Sequence, residues 1–184
     1  MKSMREKQED KVRKNKIYSM VTCLWIVIIF SFSLQPGETS GQISSGLGEW
    51  IIEEVLSNVI KDIEDIQPEQ WEWIHFLLRK CAHFTEYFIL GILMNLTMEQ
   101  MKRSRKVRWT LAACVLVAST DETIQRFVEG RFGQLSDVLL DSVGALCGIG
   151  CVLIIERICR KKVNGVMITL SKPQNNVSKG QKGQ

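Results

Sequence analysis

No CxxC pair and no histidine-rich tract accompany the six cysteines of this 184-residue chain, so neither a zinc ribbon nor a disulfide framework is written into it. Cys23, Cys81, Cys114, Cys147 and Cys151 lie inside apolar runs and Cys159 just past one, where a free thiol packs as a small hydrophobe. Proline occurs three times, and no long internal repeat is visible, which suits one modest domain. A nucleotide-binding loop is also missing. After the first apolar run, SLQPGETS offers no A-x-A-like cleavage site. That run is longer than the roughly 7 to 15 apolar residues of a signal peptide, so a retained anchor is expected. The stretch from Gln35 to Glu72 holds one lysine, Lys61, against nine acidic residues.

Long apolar runs are abundant. Ile17 to Leu34 contains 18 residues without a charge, close to the roughly 20 that cross a bilayer core of about 30 Å. Val138 to Ile155 carries only Asp141. Trp73 to Met98 and Trp109 to Val128 are apolar with charges gathered at one end. The expected fold is an all-α membrane protein with four transmembrane helices, over about 17–34, 73–98, 109–128 and 138–155. Between the first two lies an extracytoplasmic segment, starting as loop through the Gly- and Ser-rich LQPGETSGQISSGLGEW and turning helical from Gly48, where apolar residues recur at helical spacing. Trp71 and Trp73 suit the membrane interface, and His75 reads as an ordinary interfacial side chain.

Lysine and arginine near span ends set membrane orientation. Residues 1–16 carry seven basic and three acidic side chains, Glu99 to Arg108 five and one, and the chain from Glu156 onward seven and one. Four spans with both termini in the cytoplasm place every basic segment inside and the acidic one outside. The basic N-terminus, 1–16, and the basic tail, 157–184, then flank a membrane domain at 17–156, with the tail expected to be disordered.

With that orientation, three clusters of ionisable residues meet at the outer face. Arg79, His83, Glu86 and Tyr87 fall at i, i+4, i+7 and i+8, one helical stripe, with Lys80 beside it. Asp121, Glu122 and Gln125 mark the end of the third span. Asp137, Asp141, Gly144 and Gly148 follow i, i+4, i+7 and i+11 on the fourth, and Gly144-x-x-x-Gly148 permits close helix packing. Charges at membrane depth face a bundle interior or water and mark function by default. Three roles fit. Arg79, Arg126 or Arg131 can pair with the carboxylates as a structural network. Arg79, Lys80 and Arg131, with Tyr87, Gln125, Asp137 and Asp141, can bind a phospholipid headgroup or a lipid-linked cell-wall precursor. His83 with Glu86, Asp121 or Glu122 can act as acid and base. His83 and Glu86 have a spacing that metal-binding helices use, but one histidine among several arginines makes a poor cation site, so no metal and no cofactor are expected. Membrane lipids are the expected partners, and nucleic acid is not.

The segments FSLQPGETS, RKCAHFTEYFILG and DETIQRFVEGRFGQLSDVLLDSVGALCG, in that order, resemble the VanZ-like membrane proteins of bacteria from about Phe30 to Gly148. The family's first pattern, a basic pair followed by alanine, histidine, an aromatic and Glu-Tyr, is matched by Arg79, Lys80, Ala82, His83, Phe84, Glu86 and Tyr87. Its second is matched by Asp121, Glu122, Gln125, Gly130, Arg131, Asp137, Asp141 and Gly144. Where the family commonly has proline before Gly-Arg, this chain has Glu129. The resemblance implies a bacterial plasma-membrane protein of the cell envelope. Its namesake is linked to low-level resistance to the glycopeptide antibiotic teicoplanin, and no settled reaction is attached to the family. A noncatalytic accessory or scaffold role is the alternative.

Overall fold

A computed structural model of the chain describes residues 4–50, 68–99 and 101–170, and among these the secondary structure is all helical. The order is α1 (Met4–Ser33), α2 (Gly37–Trp50), α3 (Pro68–Thr97), α4 (Arg103–Gln125) and α5 (Leu135–Leu170). Residues Met4–Ser33 contain neither glycine nor proline, so the basic leader and the first apolar run propagate as one helix. Helix α3 is described from Pro68 onward. Two of the helices, α1 and α5 over Leu135–Lys162, are long and apolar enough to cross a membrane by length and composition.

The expectation of loop after Leu34 is corrected over 37–47, which is helix and continues to Trp50. The start of α2 is anchored from outside itself. The Gly37 N–H donates to the Glu129 carbonyl at 2.9 Å, and Ser40 N donates to the Pro36 carbonyl at 3.0 Å, closing the first turn. Tertiary anchoring of a helix start overrides the weak helix preference of a Gly- and Ser-rich sequence. The close approach requires glycine on both sides. Gly130 has φ +72°, and a Cβ on it would meet the Gly37 Cα at 3.4 Å. Glu129 supplies only its carbonyl here, which a proline would also have. The tail expected to be disordered from 157 is corrected over 157–170, where α5 continues as helix to Leu170; the rest of the tail, 171–184, and the remainder of the expected outer helix, 51–67, lie outside the described residues.

Successive long helices run in alternating directions, as the polar links at the two ends of the bundle require. At one end the last residue of α1, Ser33, reaches Asp121 near the end of α4, and Lys80 and His83 around the middle of α3 reach Asp137 and Asp141 at the start of α5. At the other, Thr22 of α1 meets Thr97 of α3 at 2.9 Å, and Lys106 of α4 pairs with Glu156 of α5 at 3.0 Å. Helix α3 touches the other four helices and packs most extensively on α5. Ile29, Tyr87, Leu90, Cys114, Ala118 and Ala145 form the buried core between these links, with Trp25, Ile26 and Phe30 packed against it. Large apolar side chains such as Leu24, Val27, Leu116, Leu139, Val143 and Ile154 face outward.

Candidate functional site

The α3–α5 crossing is tight because glycine lies in it. A Cβ on Gly144 would sit 2.6 Å from the Phe84 carbonyl oxygen, and one on Gly148 would overlap the backbone at Phe88. Phe84 follows His83 and Gly144 lies one turn beyond Asp141, so the contact that brings the backbones together also brings these two side chains together. His83 Nδ1 lies 3.6 Å from Asp141 Oδ1, with the histidine 7 % exposed and the aspartate fully buried.

Helix α4 contributes the next two carboxylates. Asp121 accepts from the Ser33 hydroxyl, and the Gln125 amide donates to Asp121 Oδ2 and to Ser33 Oγ, each at 3.3 Å. Glu122 accepts the Gln134 backbone N–H at 2.8 Å through Oε2, which ties the end of α4 to the start of α5. Its other oxygen, Oε1, is buried without a partner, as are His83 Nδ1 and both oxygens of Asp141. One ligand-type atom from each of His83, Asp121, Glu122 and Asp141 lies within 4.8 Å of the others. Among the described residues, no lysine or arginine nitrogen lies within 4.0 Å of these three carboxylates.

The cations are placed around this group rather than in it. Lys80 is hydrogen-bonded to Asp137, and its ammonium also lies 5.1 Å from the Phe76 ring centre. Ser136 donates to the same Asp137 oxygen at 3.3 Å. Arg131, in the turn between α4 and α5, is 8 % exposed with its Nε unpartnered. Burial, and after it the charge of Arg79, pushes the Arg131 guanidinium below its ordinary range. Arg79 is half-buried. The sequence-based pairing of Arg79, Arg126 or Arg131 with the carboxylates is absent at ion-pair distance among the described residues.

Of the remaining expected site residues, Tyr87 is fully buried with an unpartnered hydroxyl, and Glu86 is half-buried with its carbonyl accepting the Trp25 indole N–H at 3.0 Å. His75 stacks on Trp71, ring centres 5.8 Å apart, away from the cluster. Ser33 and Trp25 were not legible as site neighbours, because nothing in an uncharged apolar run marks which serine or tryptophan meets another helix.

All of these residues fall inside one sequence match: the family model of VanZ/LLP1 covers residues 18–156. The chain belongs to the VanZ/LLP1 family. The match takes in the α1 end that carries Ser33, the α3 stripe, the α4 carboxylates and the opening of α5, so the buried cluster of this VanZ/LLP1 member is built wholly from its family domain. No curated protein and no solved structure matches the chain.

Proposed function

We propose that this VanZ/LLP1 protein is a four-span protein of the bacterial plasma membrane, with both termini in the cytoplasm. Its outer-face polar cluster binds or modifies an anionic component of the cell envelope and thereby influences glycopeptide susceptibility, including that to teicoplanin. Support for the membrane comes from the two long apolar helices, the apolar side chains on the outside of the bundle and the charges inside it. Support for the orientation comes from the distribution of lysine and arginine.

The observation that carries the ligand class is Arg131. A guanidinium that is nearly buried, has an unpartnered Nε and feels the like charge of Arg79 as well as the carboxylates of Asp121, Glu86 and Glu122 has donor capacity left for an anion. The outer segment is strongly acidic and repels free anions. A lipid-anchored phosphate avoids much of that repulsion, since it arrives in the membrane plane at the depth of the site. Arginine grips phosphate with a planar fork, whereas lysine acts as a point charge, and Lys80 is already engaged by Asp137.

Native mass spectrometry of the protein purified with its lipids tests this reading. Arg79→Lys and Arg131→Lys are expected to insert normally and to lose much of a co-purifying phospholipid or lipid-linked cell-wall precursor, with Lys80→Arg milder. Unchanged lipid retention in both arginine variants would refute it. A second reading, a noncatalytic scaffold, draws on the links Lys80–Asp137 and Ser33–Asp121, which join four helices without needing a ligand.

A further inference from the structure

His83, Asp121, Glu122 and Asp141 come from three helices and are all buried, at 7 %, 0 %, 3 % and 0 % exposure. Three carboxylates sharing an interior site repel one another, and burying them as anions is costly unless a cation or hydrogen bonds compensate. Hydrogen bonds satisfy Asp121 and one oxygen of Glu122. They leave His83 Nδ1, Glu122 Oε1 and both Asp141 oxygens without partners, on side chains more than nine-tenths buried. We propose that these four residues hold a divalent first-row transition metal ion in the outer half of the bundle.

The spacing fits. Around an ion bound at about 2.0–2.2 Å, opposite ligand atoms are separated by up to about 4.4 Å. The four atoms already lie within 4.8 Å of one another, so small side-chain rotations close the shell. The second shell is in place too, as Ser33 and Gln125 hold Asp121 and the Gln134 N–H holds Glu122. One imidazole with three carboxylates suits manganese, iron or zinc better than calcium or magnesium, which favour all-oxygen shells. The objection that arginines spoil the site weakens in the fold. Lys80 is drawn off to Asp137, and no arginine nitrogen lies within ion-pair distance of the three carboxylates among the described residues. The four groups then act as ligands, and Arg131 is left available to an anion beside the metal. This site stands independently of the lipid-phosphate reading.

Manganese is the probe, because the chain's free cysteines compete for zinc but bind Mn²⁺ poorly. The full-length protein in detergent is stripped with chelator, loaded with Mn²⁺, freed of excess by gel filtration and assayed by plasma mass spectrometry and electron paramagnetic resonance. The wild type is expected to retain about one equivalent, and Asp141→Asn and Glu122→Gln less than about a tenth of that, since each removes a charged ligand. His75→Gln, outside the cluster, is expected to load like the wild type. Less than about a tenth of an equivalent in the wild type overturns the site without any variant. So does loading that survives in both ligand variants, or that falls equally in His75→Gln. Metal loss with lipid retained, or lipid loss with metal retained, separates this inference from the phosphate reading.

Discussion

Replacing Gly144 by alanine tests whether the α3–α5 crossing builds the site. The new methyl carbon would lie 2.6 Å from the Phe84 carbonyl oxygen, whereas ordinary contact begins at 3.4 Å. The obstacle is helix backbone and cannot rotate away as a side chain would. The two helices must therefore part by about 0.8 Å at this level, or α5 must slide. Overpacking of this kind costs about 1–3 kcal/mol. Glycine to alanine inside a helix otherwise gains roughly 0.5–1 kcal/mol, so the net expectation is a loss of up to about 2.5 kcal/mol. At roughly 2–4 °C per kcal/mol for a chain of this size, the midpoint should fall by up to about 10 °C. Gly150→Ala is the matched control, since nothing lies within 4 Å of a Cβ there, and it should melt at or above the wild type. Thermal unfolding of both variants in the same detergent, followed by tryptophan fluorescence, reads the difference. If Gly144→Ala melts no lower than Gly150→Ala, the crossing is not tight and the convergence of His83 with Asp141 loses its structural cause.

Ser33→Ala removes the hydroxyl that donates to Asp121 and accepts from Gln125; leaving that buried carboxylate short of a donor is expected to cost about 1–3 kcal/mol in the same melt, while an exposed control, Ser31→Ala, changes little. Lys80→Met strands the Asp137 carboxylate, only 5 % exposed, at a cost of up to about 3–5 kcal/mol, and adding Asp137→Leu should recover much of it; a double variant no more stable than Lys80→Met contradicts the pairing. Topology is checked with an impermeant thiol reagent in a cysteine-free background. A probe at Ser57 should label from outside, and probes at Ser104 and Ser178 only after permeabilisation; outside labelling at Ser104 reverses the orientation.

Helical periodicity is a local property, and it revealed the stripe of Arg79, His83 and Tyr87 and the spacing of Asp137, Asp141 and Gly144. It could not assign partners. The arginines offered as neutralising partners are not within pairing distance of the carboxylates among the described residues; instead Lys80 pairs with Asp137, Ser33 and Gln125 donate to Asp121, and the Gln134 N–H donates to Glu122. Glycine and serine weaken helices locally and predict loop over 37–47, whereas the start of α2 is held by a carbonyl some ninety residues further along the chain.

The order of apolar and charged residues along the chain determined that the protein is helical and carries membrane-length apolar runs, since hydropathy and charge act residue by residue and need no partners to be counted. Which charges meet was decided only by the tertiary structure. Glycine at 144 and 148 lets α5 lie against α3, Gly37 and Gly130 let the α4–α5 turn dock on α2, and these contacts turn three separate sequence patterns into one buried group of a histidine and three carboxylates. Close approach of backbones depends on both surfaces at once, and so cannot be read from either strand of sequence by itself.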